Sequence, residues 1–553
     1  MASSSSSKPA NFNQKLFIIS LFLISFSLLI IVFSFKPQPT HFPDSPSLQT
    51  EPLPLTNKPK WLELIQEHVA GQKIKVGLVN VNNYIHDVHG TSAETIHIHF
   101  DRVPDDKRWG DFFPEWIDED HKWHAPSCPE IPMPRLEEYR DLDVIVARVP
   151  CGGGNEKEGI RDVFRLQVNL VVANLAVESG RVNPDSDRPV YVVFVGSCGP
   201  MIEIFRCDDM VMHVGDYWVY KPELRRLKQK VIMPVGSCQI FPGYAENGKE
   251  EWRYFLQTKL NYTAHYEREA YVTVLHSSEG YVCGAIALAQ SIIQSNTKRD
   301  LVLLHDKSLS DKSIRGLRAA GWKTKLISRI RSPFSVKDSY NEWNYSKLRV
   351  WQLIEYEKVI FIDADLLVLR NIDKFFSYPQ LSSAGNDGSL FNSGIMVIEP
   401  SLCMFEKLMV KSFKVASYNG GDQGFLNEIF TWWHRLPSKI NHLKVFSTLD
   451  NKDGNNDEHR IPENLYAIHY LGLKPWLCYK DYDCNWDMVD HHIFASDSAH
   501  KKWWRVYDAM PKKLQKFCGL TKHMNSRIKK WRGIARNSSL INIIEALPLI
   551  SMV

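Results

Sequence analysis

The sequence predicts an α/β protein with a mostly parallel central sheet, preceded by a second α/β domain and an N-terminal transmembrane helix. Three observations support this prediction: an uncharged apolar run near the N-terminus, two later regions in which strand and helix patterns follow one another, and a length of 553 residues, which exceeds one typical domain. The formal net charge of +4 comes without the clustered Lys/Arg block of a nucleic-acid reader, so no nucleic-acid partner is expected.

The apolar run L-F-I-I-S-L-F-L-I-S-F-S-L-L-I-I-V-F-S-F, residues 16–35, carries no charge and is long enough to cross a hydrocarbon core of about 30 Å. We interpret it as a transmembrane signal anchor. The alternative is a cleaved signal peptide, but the run exceeds the usual apolar core of such a peptide and no small-x-small cleavage pattern follows. Lys8 and Lys15 precede the run and only Lys36 follows closely, so residues 1–15 are expected in the cytosol. The sequence thus predicts a single-pass type II membrane protein with a luminal main part.

Residues 36–60 contain K-P-Q-P-T-H-F-P-D-S-P-S and E-P-L-P-L-T, a Pro-rich composition that is typical of a stem. In a luminal protein the ten cysteines are free to pair, and Cys478 and Cys484 are spaced to close a small loop, although isolated buried thiols are an equal alternative. Three short sequons match the N-glycosylation pattern, which also arises by chance: Asn261, Asn344 and Asn537.

The first globular region, residues 61–265, has strand-like runs at K-I-K-V-G-L-V-N-V, D-V-I-V-A-R-V and V-Y-V-V-F-V-G, and a helical run around F-R-L-Q-V-N-L-V-V-A-N-L-A-V. These patterns predict an α/β domain. His97, His99, Asp208 and Asp209 form no catalytic constellation, because such residues are more often ordinary polar positions. The sequence assigns this domain no specific role, and a supporting or acceptor-binding role is the default expectation.

The second region begins with the buried-strand pattern Y-V-T-V-L-H at residues 271–276 and the helix-like V-C-G-A-I-A-L-A-Q-S-I-I-Q. Another strand (D-L-V-L-L-H-D), a helix ending near Gly321 and a third strand (K-T-K-L-I-S) follow. This alternation predicts a mostly parallel sheet, and such sheets bind ligands beyond the carboxyl ends of their strands.

The strand V-I-F-I ends at that edge of the sheet with Asp363 and Asp365. Residues i and i+2 of an extended chain point the same way, so both carboxylates could hold one hard cation. On its own the D-x-D pattern is equally compatible with acids that close a strand at a turn.

Further motifs lie around the D-x-D in a fixed order: S-K-L-R-V-W at 346–351, F-N-S-G-I-M-V-I-E-P at 391–400, N-G-G-D-Q-G-F-L-N at 419–427 and H-Y-L-G-L-K-P-W at 469–476. In this order they resemble glycosyltransferase family 8, the retaining, metal-dependent sugar-nucleotide enzymes that include glycogenin. The resemblance covers about residues 271–504. It implies a GT-A type transferase domain at residues 266–505, followed by a C-terminal tail at 506–553.

The resemblance implies a role for each matching residue. Asp363, Asp365 and His469 match the Mn²⁺ ligands of the family, a mixed carboxylate and imidazole set that suits manganese. The residues implied in donor binding are Leu275 and Tyr281 at the uracil, Lys347, Gly472 and Lys474 at the phosphates, and Asn392 and Ser393 at the sugar. The residues implied in catalysis are Asp422, Gln423 and Lys347. Asp422 is expected either to act as a nucleophile or to stabilise charge during same-face attack, and both routes stay open.

The N-terminal stretches R-D-V-F-R-L-Q-V-N-L-V-V-A-N-L and V-V-F-V-G-S-C-G-P-M-I-E-I-F-R-C-D-D resemble the plant Golgi branch that adds glucuronic acid to xylan. That resemblance implies a UDP-glucuronic acid donor, a xylan acceptor, an α-1,2 branch, the Golgi membrane and possible complexes with other wall-polysaccharide transferases. The alternatives are a family 8 enzyme with another UDP-sugar or acceptor, and a non-catalytic Golgi scaffold, which the intact ligand motifs disfavour.

Two further expectations concern the substrates. Arg349 is a candidate for the uronate charge, with a plain surface arginine as the alternative, because a buried uronate needs a cation or several donors. Trp343, Trp476 and Trp486 are candidate platforms for stacking on xylose rings.

Overall fold

The computed structural model describes residues 62, 65, 74–81, 93–113, 129–151, 161–183, 186–232, 268–386, 388–446 and 459–546. The predicted cytosolic tail, anchor and stem lie outside these residues, as does the sequon at Asn261. In the described part, no helix combines the length and the apolarity needed to cross a membrane. The described residues belong to one compact unit.

The N-terminal region is built on a six-stranded sheet in the order β2-β1-β3-β6-β8-β7. Strands β2, β1, β3 and β6 are parallel, and β8 runs in the opposite direction to its neighbours β6 and β7. All three strand-like runs predicted here form strands, and a separate pair, β4 and β5, lies outside the sheet. The strands are β1 Ile74–Val79, β2 Ala93–His97, β3 Val144–Arg148, β4 Arg181–Asn183, β5 Ser186–Asp187, β6 Tyr191–Val195, β7 Met210–Val214 and β8 Tyr217–Tyr220.

The second region has a seven-stranded sheet in the order β11-β10-β9-β12-β15-β14-β16 and a smaller sheet in the order β13-β18-β17. In the larger sheet as described, only β15 runs opposite to the other strands, so the predicted mostly parallel sheet is mixed. The strands are β9 Glu269–Leu275, β10 Asp300–His305, β11 Lys323–Leu326, β12 Lys358–Ile362, β13 Leu366–Val368, β14 Ser382–Gly385, β15 Phe391–Ile398, β16 His434–Arg435, β17 His442–Leu443 and β18 Ala467–His469.

The helices cover the sheets and position several loops. A predicted helix, Val163–Ser179, is capped by Asp162, whose side chain accepts from the backbone N–H of Arg165 at 3.0 Å, as expected of an N-cap. The α-helices are Val163–Ser179, Leu224–Ile232, Val282–Gln294, Asp311–Ala319, Leu402–Ser412, Asp422–Ile429, Asp497–Ala509, Lys512–Gln515 and Lys522–Ala546. The 3₁₀ helices are Trp109–Phe112, Leu136–Glu138, Cys207–Asp209, Glu279–Tyr281, Asn344–Gln352, Asp373–Ser377, Ser438–Ile440, Pro475–Leu477, Cys484–Asp487 and Val489–Phe494.

The two predicted domains share one hydrophobic core, in which residues of both sheets and the helix Val163–Ser179 pack together. The rings of Phe113 and Trp433 lie 5.8 Å apart across the boundary between them. The Glu203 carboxylate accepts from the backbone N–H and the hydroxyl of Thr431 at 3.1 and 3.2 Å. The two regions are therefore held together by apolar packing and by buried hydrogen bonds.

Four disulfides are present among the described residues, including the Cys478–Cys484 loop that the spacing suggested. Two of the others join distant parts of the chain. Cys207–Cys403 links the two regions, and Cys283–Cys518 links the transferase region to the C-terminal segment. The fourth is Cys151–Cys198. The predicted tail at 506–553 is thus mostly helical where described, it is cross-linked at Cys518, and the helix Asp497–Ala509 runs across its predicted start.

Candidate active site

A cavity of about 460 Å³ opens at the carboxyl ends of β9 and β12, where the parallel sheet predicted a site. Its wall contains eleven of the twelve site residues predicted from the sequence: Leu275, Tyr281, Lys347, Asp363, Asp365, Asn392, Ser393, Asp422, Gln423, His469 and Lys474. They come from six separated segments of the chain. The fold therefore brings together motifs that lie up to 199 residues apart in the sequence, from Leu275 to Lys474.

The exception is Gly472, which does not lie on the cavity wall. Its φ of +71° is in the left-handed region that favours glycine, and an added Cβ would meet Asn485 Oδ1 at 2.5 Å. The turn and this close packing favour glycine here, and its approach to the donor phosphates stays a prediction.

Asp363, Asp365 and His469 offer ligand atoms that all lie within 4.8 Å of one another. Asp363 follows β12, Asp365 precedes β13, and His469 ends β18, which pairs with β13 so that Leu366 lies opposite His469. The backbone N–H of Tyr470 donates to the carbonyl of Asp365 at 3.0 Å and closes this arrangement. The three side chains are therefore positioned by strand pairing and not by a flexible loop.

The orientation of His469 follows from a chain of hydrogen bonds that begins at a backbone amide. The N–H of Gly394 donates to Asn392 Oδ1 at 2.9 Å, which fixes the side-chain amide of Asn392. Asn441 Nδ2 donates to the same Oδ1 at 2.9 Å, so Asn441 Oδ1 is the atom that faces His469 Nδ1 at 3.1 Å. Nδ1 must then carry a hydrogen, and in the neutral ring the lone pair is on Nε2.

Nε2 of His469 lies 3.3 Å from Asp365 Oδ1. Two acceptors that face each other at this distance repel unless a proton or a cation lies between them. Ligand distances of about 2.0–2.6 Å for hard cations place neighbouring ligands roughly 3 Å or more apart. The donor set and its spacing therefore fit a divalent metal ion.

The two carboxylates of the D-x-D have opposite electrostatic surroundings. Burial raises the pKa of Asp363 above its ordinary value, although the Lys347 ammonium partly opposes this. Asp365 is buried as well, but the Lys474 ammonium at 2.8 Å opposes burial, and the pKa of Asp365 is held low. Asp365 is the carboxylate that this environment keeps ionised.

Lys347 lies at the centre of a second charged group. Its Nζ is 2.7 Å from Asp422 Oδ2 and 3.3 Å from Asp363 Oδ1, and it also donates to the carbonyl of Ser393 at 3.2 Å. Burial by itself lowers the pKa of Lys347, but Asp363 and Asp422 reverse this and raise it, so the ammonium stays charged. Lys347 thus connects the metal ligands to the predicted catalytic carboxylate.

Asp422 begins the helix Asp422–Ile429, and its Oδ2 accepts from the Ser393 hydroxyl at 2.7 Å as well as from Lys347. In the described part of the chain both contacts go to Oδ2, which leaves Oδ1 available to a substrate. The neighbouring Gln423 side chain accepts from the backbone N–H of Ser393 at 3.2 Å and donates to the Tyr418 hydroxyl at 3.0 Å. These bonds hold both side chains in fixed positions.

The predicted uracil end of the cavity contains Leu275 and Tyr281. Tyr281 packs edge-on against Trp476, with ring centroids 5.8 Å apart, and the Trp476 indole N–H donates to the carbonyl of Gly280 at 2.8 Å. Trp476 supports the wall from behind. Tyr281, and not Trp476, is therefore the ring on the cavity wall.

Three substrate expectations based on single residues are corrected by the structure. Arg349 does not line the cavity, and its guanidinium donates to the carbonyl of Ser328 and to Gln352. Trp476 is buried, and Trp486 packs among histidines outside the cavity. Trp343 is on the wall, with one ring face covered by the Arg329 guanidinium at 4.1 Å.

Several wall or supporting residues were not predicted from the sequence. Asn441 orients a metal ligand, and His276 and Tyr340 line the cavity. Asn344, predicted only as a sequon, also lies on the wall and donates to Asn341 Oδ1 at 2.9 Å. The position of Asn441 just before β17, the strand that pairs with the histidine strand β18, was the signal available, but it requires knowledge of the strand pairing.

Comparison with known proteins assigns both regions of the chain. A family model described as the GUX1-5 N-terminal domain matches residues 53–238, and one described as glycosyl transferase family 8 matches residues 272–386 and 377–479. Among solved structures, the galactosyltransferase LgtC in complex with donor and acceptor sugar analogues is 15% identical, with 45% of this chain and 99% of that chain covered and a TM-score of 0.33.

Curated relatives match over nearly the whole length. The Arabidopsis thaliana protein named putative UDP-glucuronate:xylan alpha-glucuronosyltransferase 4 is 55% identical over 545 residues, which is 96% of each chain. The Arabidopsis thaliana UDP-glucuronate:xylan alpha-glucuronosyltransferase 2 is 52% identical over 483 residues, with 86% of this chain and 80% of that one covered. The chain therefore belongs to glycosyltransferase family 8, in the group of the UDP-glucuronate:xylan alpha-glucuronosyltransferases.

Proposed function

We propose that this protein is a retaining GT-A type glycosyltransferase that moves glucuronic acid from UDP-glucuronic acid to xylan and forms an α-1,2 branch. The observation that carries the proposal is the 55% identity to a relative of that name over 96% of both chains, because it includes the N-terminal region as well as the transferase region. The cavity supports an active enzyme and not a scaffold, since its charged side chains form a complete and mutually paired set.

Asp363, Asp365 and His469 would hold the metal ion, and the carboxylate and imidazole donors suit Mn²⁺. When bound, the ion would neutralise negative charge on the departing diphosphate. Without it, four carboxylates in the wall (Asp338, Asp363, Asp365 and Asp422) outnumber the two ammonium groups of Lys347 and Lys474. An anionic donor would then meet a net negative cavity, so the proposed reaction requires a cation at this place.

The residues of the chain divide the remaining tasks. Lys474 and Lys347 supply ammonium groups for the diphosphate side of the donor, as their places beside Asp365 and Asp363 indicate. Asp422 faces the sugar side, held by Ser393 and Lys347 through one oxygen. Its free oxygen serves either as the nucleophile of a two-step route or as the group that stabilises positive charge at the sugar during attack on one face.

The direct test is a donor competition on xylohexaose with UDP-glucuronic acid, UDP-glucose and UDP-galactose. We expect preferential transfer of glucuronate, an α product, and loss of turnover in excess chelator with recovery on adding Mn²⁺. Preferential transfer from a neutral donor would contradict the donor, labelling of a glucan or pectic oligomer in place of xylan would contradict the acceptor, and full turnover in chelator would contradict the metal.

We also propose that the protein is a single-pass type II protein of the Golgi membrane with a luminal catalytic region. Residues 16–35 support an anchor, and disulfides that join distant parts of the chain are typical of an oxidising compartment. Protease added outside sealed Golgi vesicles should leave the chain beyond the stem intact. Digestion of the catalytic region in unopened vesicles would reverse the proposed orientation.

A further inference from the structure

The C-terminal segment carries an unusual concentration of positive charge. Between Asp508 and Glu545 the sequence has nine Lys/Arg and no acidic residue, whereas the whole chain has a net charge of only +4. The rest of the chain is therefore net negative. These basic residues are spread over 25 positions, from 512 to 536, so they form no contiguous block in the sequence.

Eight of the nine side chains are exposed, and among the described residues none of the eight forms an ion pair with a carboxylate. We call them the C-terminal basic surface: Lys512, Lys513, Lys516, Lys522, Arg527, Lys529, Lys530 and Arg536. The ninth, Arg532, is different, since it contacts Asp481 at 2.9 Å and lies over the Tyr482 ring. Exposed like charges repel one another, so their concentration here costs free energy unless an anion lies nearby.

The surface is held rigidly on the transferase region. Met524 and Ile528, one helical turn apart, are buried against the Cys478–Cys484 loop. Tyr479 donates a hydrogen bond to Asn525, and Cys518 is cross-linked to Cys283, two residues after Tyr281 in the cavity wall. The helix Lys522–Ala546 thus presents exposed positive charges on a segment attached to the part of the chain that carries the active site.

The burial of apolar residues in the helix Lys522–Ala546 also indicates which class of partner can bind to its exposed side. An interfacial membrane helix inserts an exposed apolar face, but here the apolar residues Met524 and Ile528 already pack on the protein. In the described part of this helix, Ile534 is the large apolar side chain that is exposed. The exposed surface is therefore suited to an anionic chain in water, which binds by charge.

We propose that the C-terminal basic surface binds the carboxylates of xylan that already carries glucuronic acid. This inference rests on the proposed function, because the proposed reaction turns a neutral acceptor into a polyanion whose charge is complementary to this surface. The surface holds the substituted part of the chain while the neutral part of the same chain occupies the active site. Neutral xylan gains nothing from it.

The test is binding of preformed oligosaccharides to the full-length protein in a neutral detergent, with chelator and excess UDP to prevent turnover. The probes are glucuronic-acid-substituted xylan oligomers, the same oligomers with their carboxyl groups reduced to alcohols, and unsubstituted xylan oligomers. The variant is Arg527→Gln/Lys529→Gln/Lys530→Gln. The matched control, Arg148→Gln/Lys221→Gln/Lys298→Gln, removes the same charge from exposed positions elsewhere.

We expect the variant to bind the substituted oligomers about tenfold more weakly, as the loss of three exposed charge contacts implies, while the control binds them normally. Added salt should remove the difference, and the reduced oligomers should not show it. Equal weakening in variant and control, or equal binding of substituted and reduced oligomers, would overturn the proposal. So would binding of phosphatidylserine vesicles that depends on these three residues without binding of the oligomers.

Transfer of glucuronate to unsubstituted xylohexaose is measured on the same protein preparations, with Mn²⁺ and donor in place of chelator and UDP. Failure of that transfer in the unaltered protein would contradict the proposed function, whereas binding of preformed oligomers does not depend on turnover. The two failures are therefore distinguishable.

Discussion

Replacement of Asn441 by alanine should weaken metal binding although Asn441 is not itself a metal ligand. The side chain is buried, and its Oδ1 is the acceptor that holds the hydrogen on His469 Nδ1. In Asn441→Ala that nitrogen loses its partner, so the ring is free to rotate or to place its hydrogen on Nε2, the atom that faces Asp365. Loss of such an outer partner of a ligating histidine typically lowers metal affinity about 10–100-fold.

The effect of Asn441→Ala on folding stability can be separated from its effect on metal affinity. Asn392 Oδ1 keeps the Gly394 N–H at 2.9 Å in the variant, so the unpaired atom that remains is His469 Nδ1, at a cost of about 1–3 kcal/mol. Asn441→Asp keeps an acceptor for His469 but places an oxygen opposite Asn392 Oδ1, so its metal affinity should fall less than that of Asn441→Ala. Asn386→Ala removes the contact on the other side of Asn392, at 3.3 Å, and should leave metal affinity unchanged.

The assay is a titration of the full-length protein with Mn²⁺ in the presence of UDP, in which free Mn²⁺ is followed by electron paramagnetic resonance. It reports metal affinity without any need for turnover. If Asn441→Ala binds Mn²⁺ within twofold of the unaltered protein, the hydrogen-bond chain from Gly394 to His469 has no part in metal binding. Equal losses in Asn441→Ala and Asn386→Ala would show a general disturbance of the wall instead.

Three further outcomes are expected. Asp422→Ala should lower kcat about a hundredfold or more with a smaller change in donor affinity, because this carboxylate acts mainly in the transition state. Initial rates measure kcat, and titration with UDP-glucuronic acid measures donor affinity. An unchanged kcat with weakened donor binding would make Asp422 a sugar contact. Cys283→Ser/Cys518→Ser should lower the unfolding free energy measured by calorimetry by about 2–5 kcal/mol. The loss should exceed that in Cys478→Ser/Cys484→Ser, because the first disulfide joins residues 235 positions apart and the second joins residues 6 positions apart. A larger loss in the second variant would contradict this reasoning. Burial lowers the pKa of His434 to about 3, so the unfolded chain gains a proton there as the pH falls below about 6.5 while the folded chain does not. The stability present above that pH is therefore lost at up to about 1.4 kcal/mol per pH unit. His434→Gln should flatten this part of the plot of unfolding free energy against pH, and an unchanged slope would exclude His434 as its source.

The parts of the fold that local pattern predicts are the ones that the structure reproduces. The strand and helix runs around Tyr271 and Gly321 lie where hydrophobic periodicity and the glycine stop signal place them. The D-x-D lies at the cavity because the carboxyl ends of parallel strands meet at one edge of the sheet, and the later motifs reach it from the amino end of antiparallel β15 and through the pairing of β18 with β13. Motif order and sheet geometry together were sufficient for these residues.

Other features depend on contacts between distant residues, which local pattern does not contain. The partners of Cys207 and Cys283 lie 196 and 235 residues away, and no spacing rule connects them. Asn441 has an ordinary sequence setting, and only the pairing of β17 with β18 places it beside His469. Arg349 is a similar case, since its guanidinium donates to the carbonyl of Ser328, 21 residues away in the sequence.

The hydrophobic core shared by the two regions limits how this enzyme can be truncated. A protein beginning at residue 266 would expose the apolar surface around Trp433 to water and would leave the backbone N–H of Thr431 without the Glu203 carboxylate. It would also carry Cys403 without its partner Cys207. The transferase segment is therefore not an independently portable enzyme: active recombinant protein should require both regions on one chain, and a chimera that exchanges only the transferase segment with a relative should succeed only if the facing residues of the first region are exchanged with it.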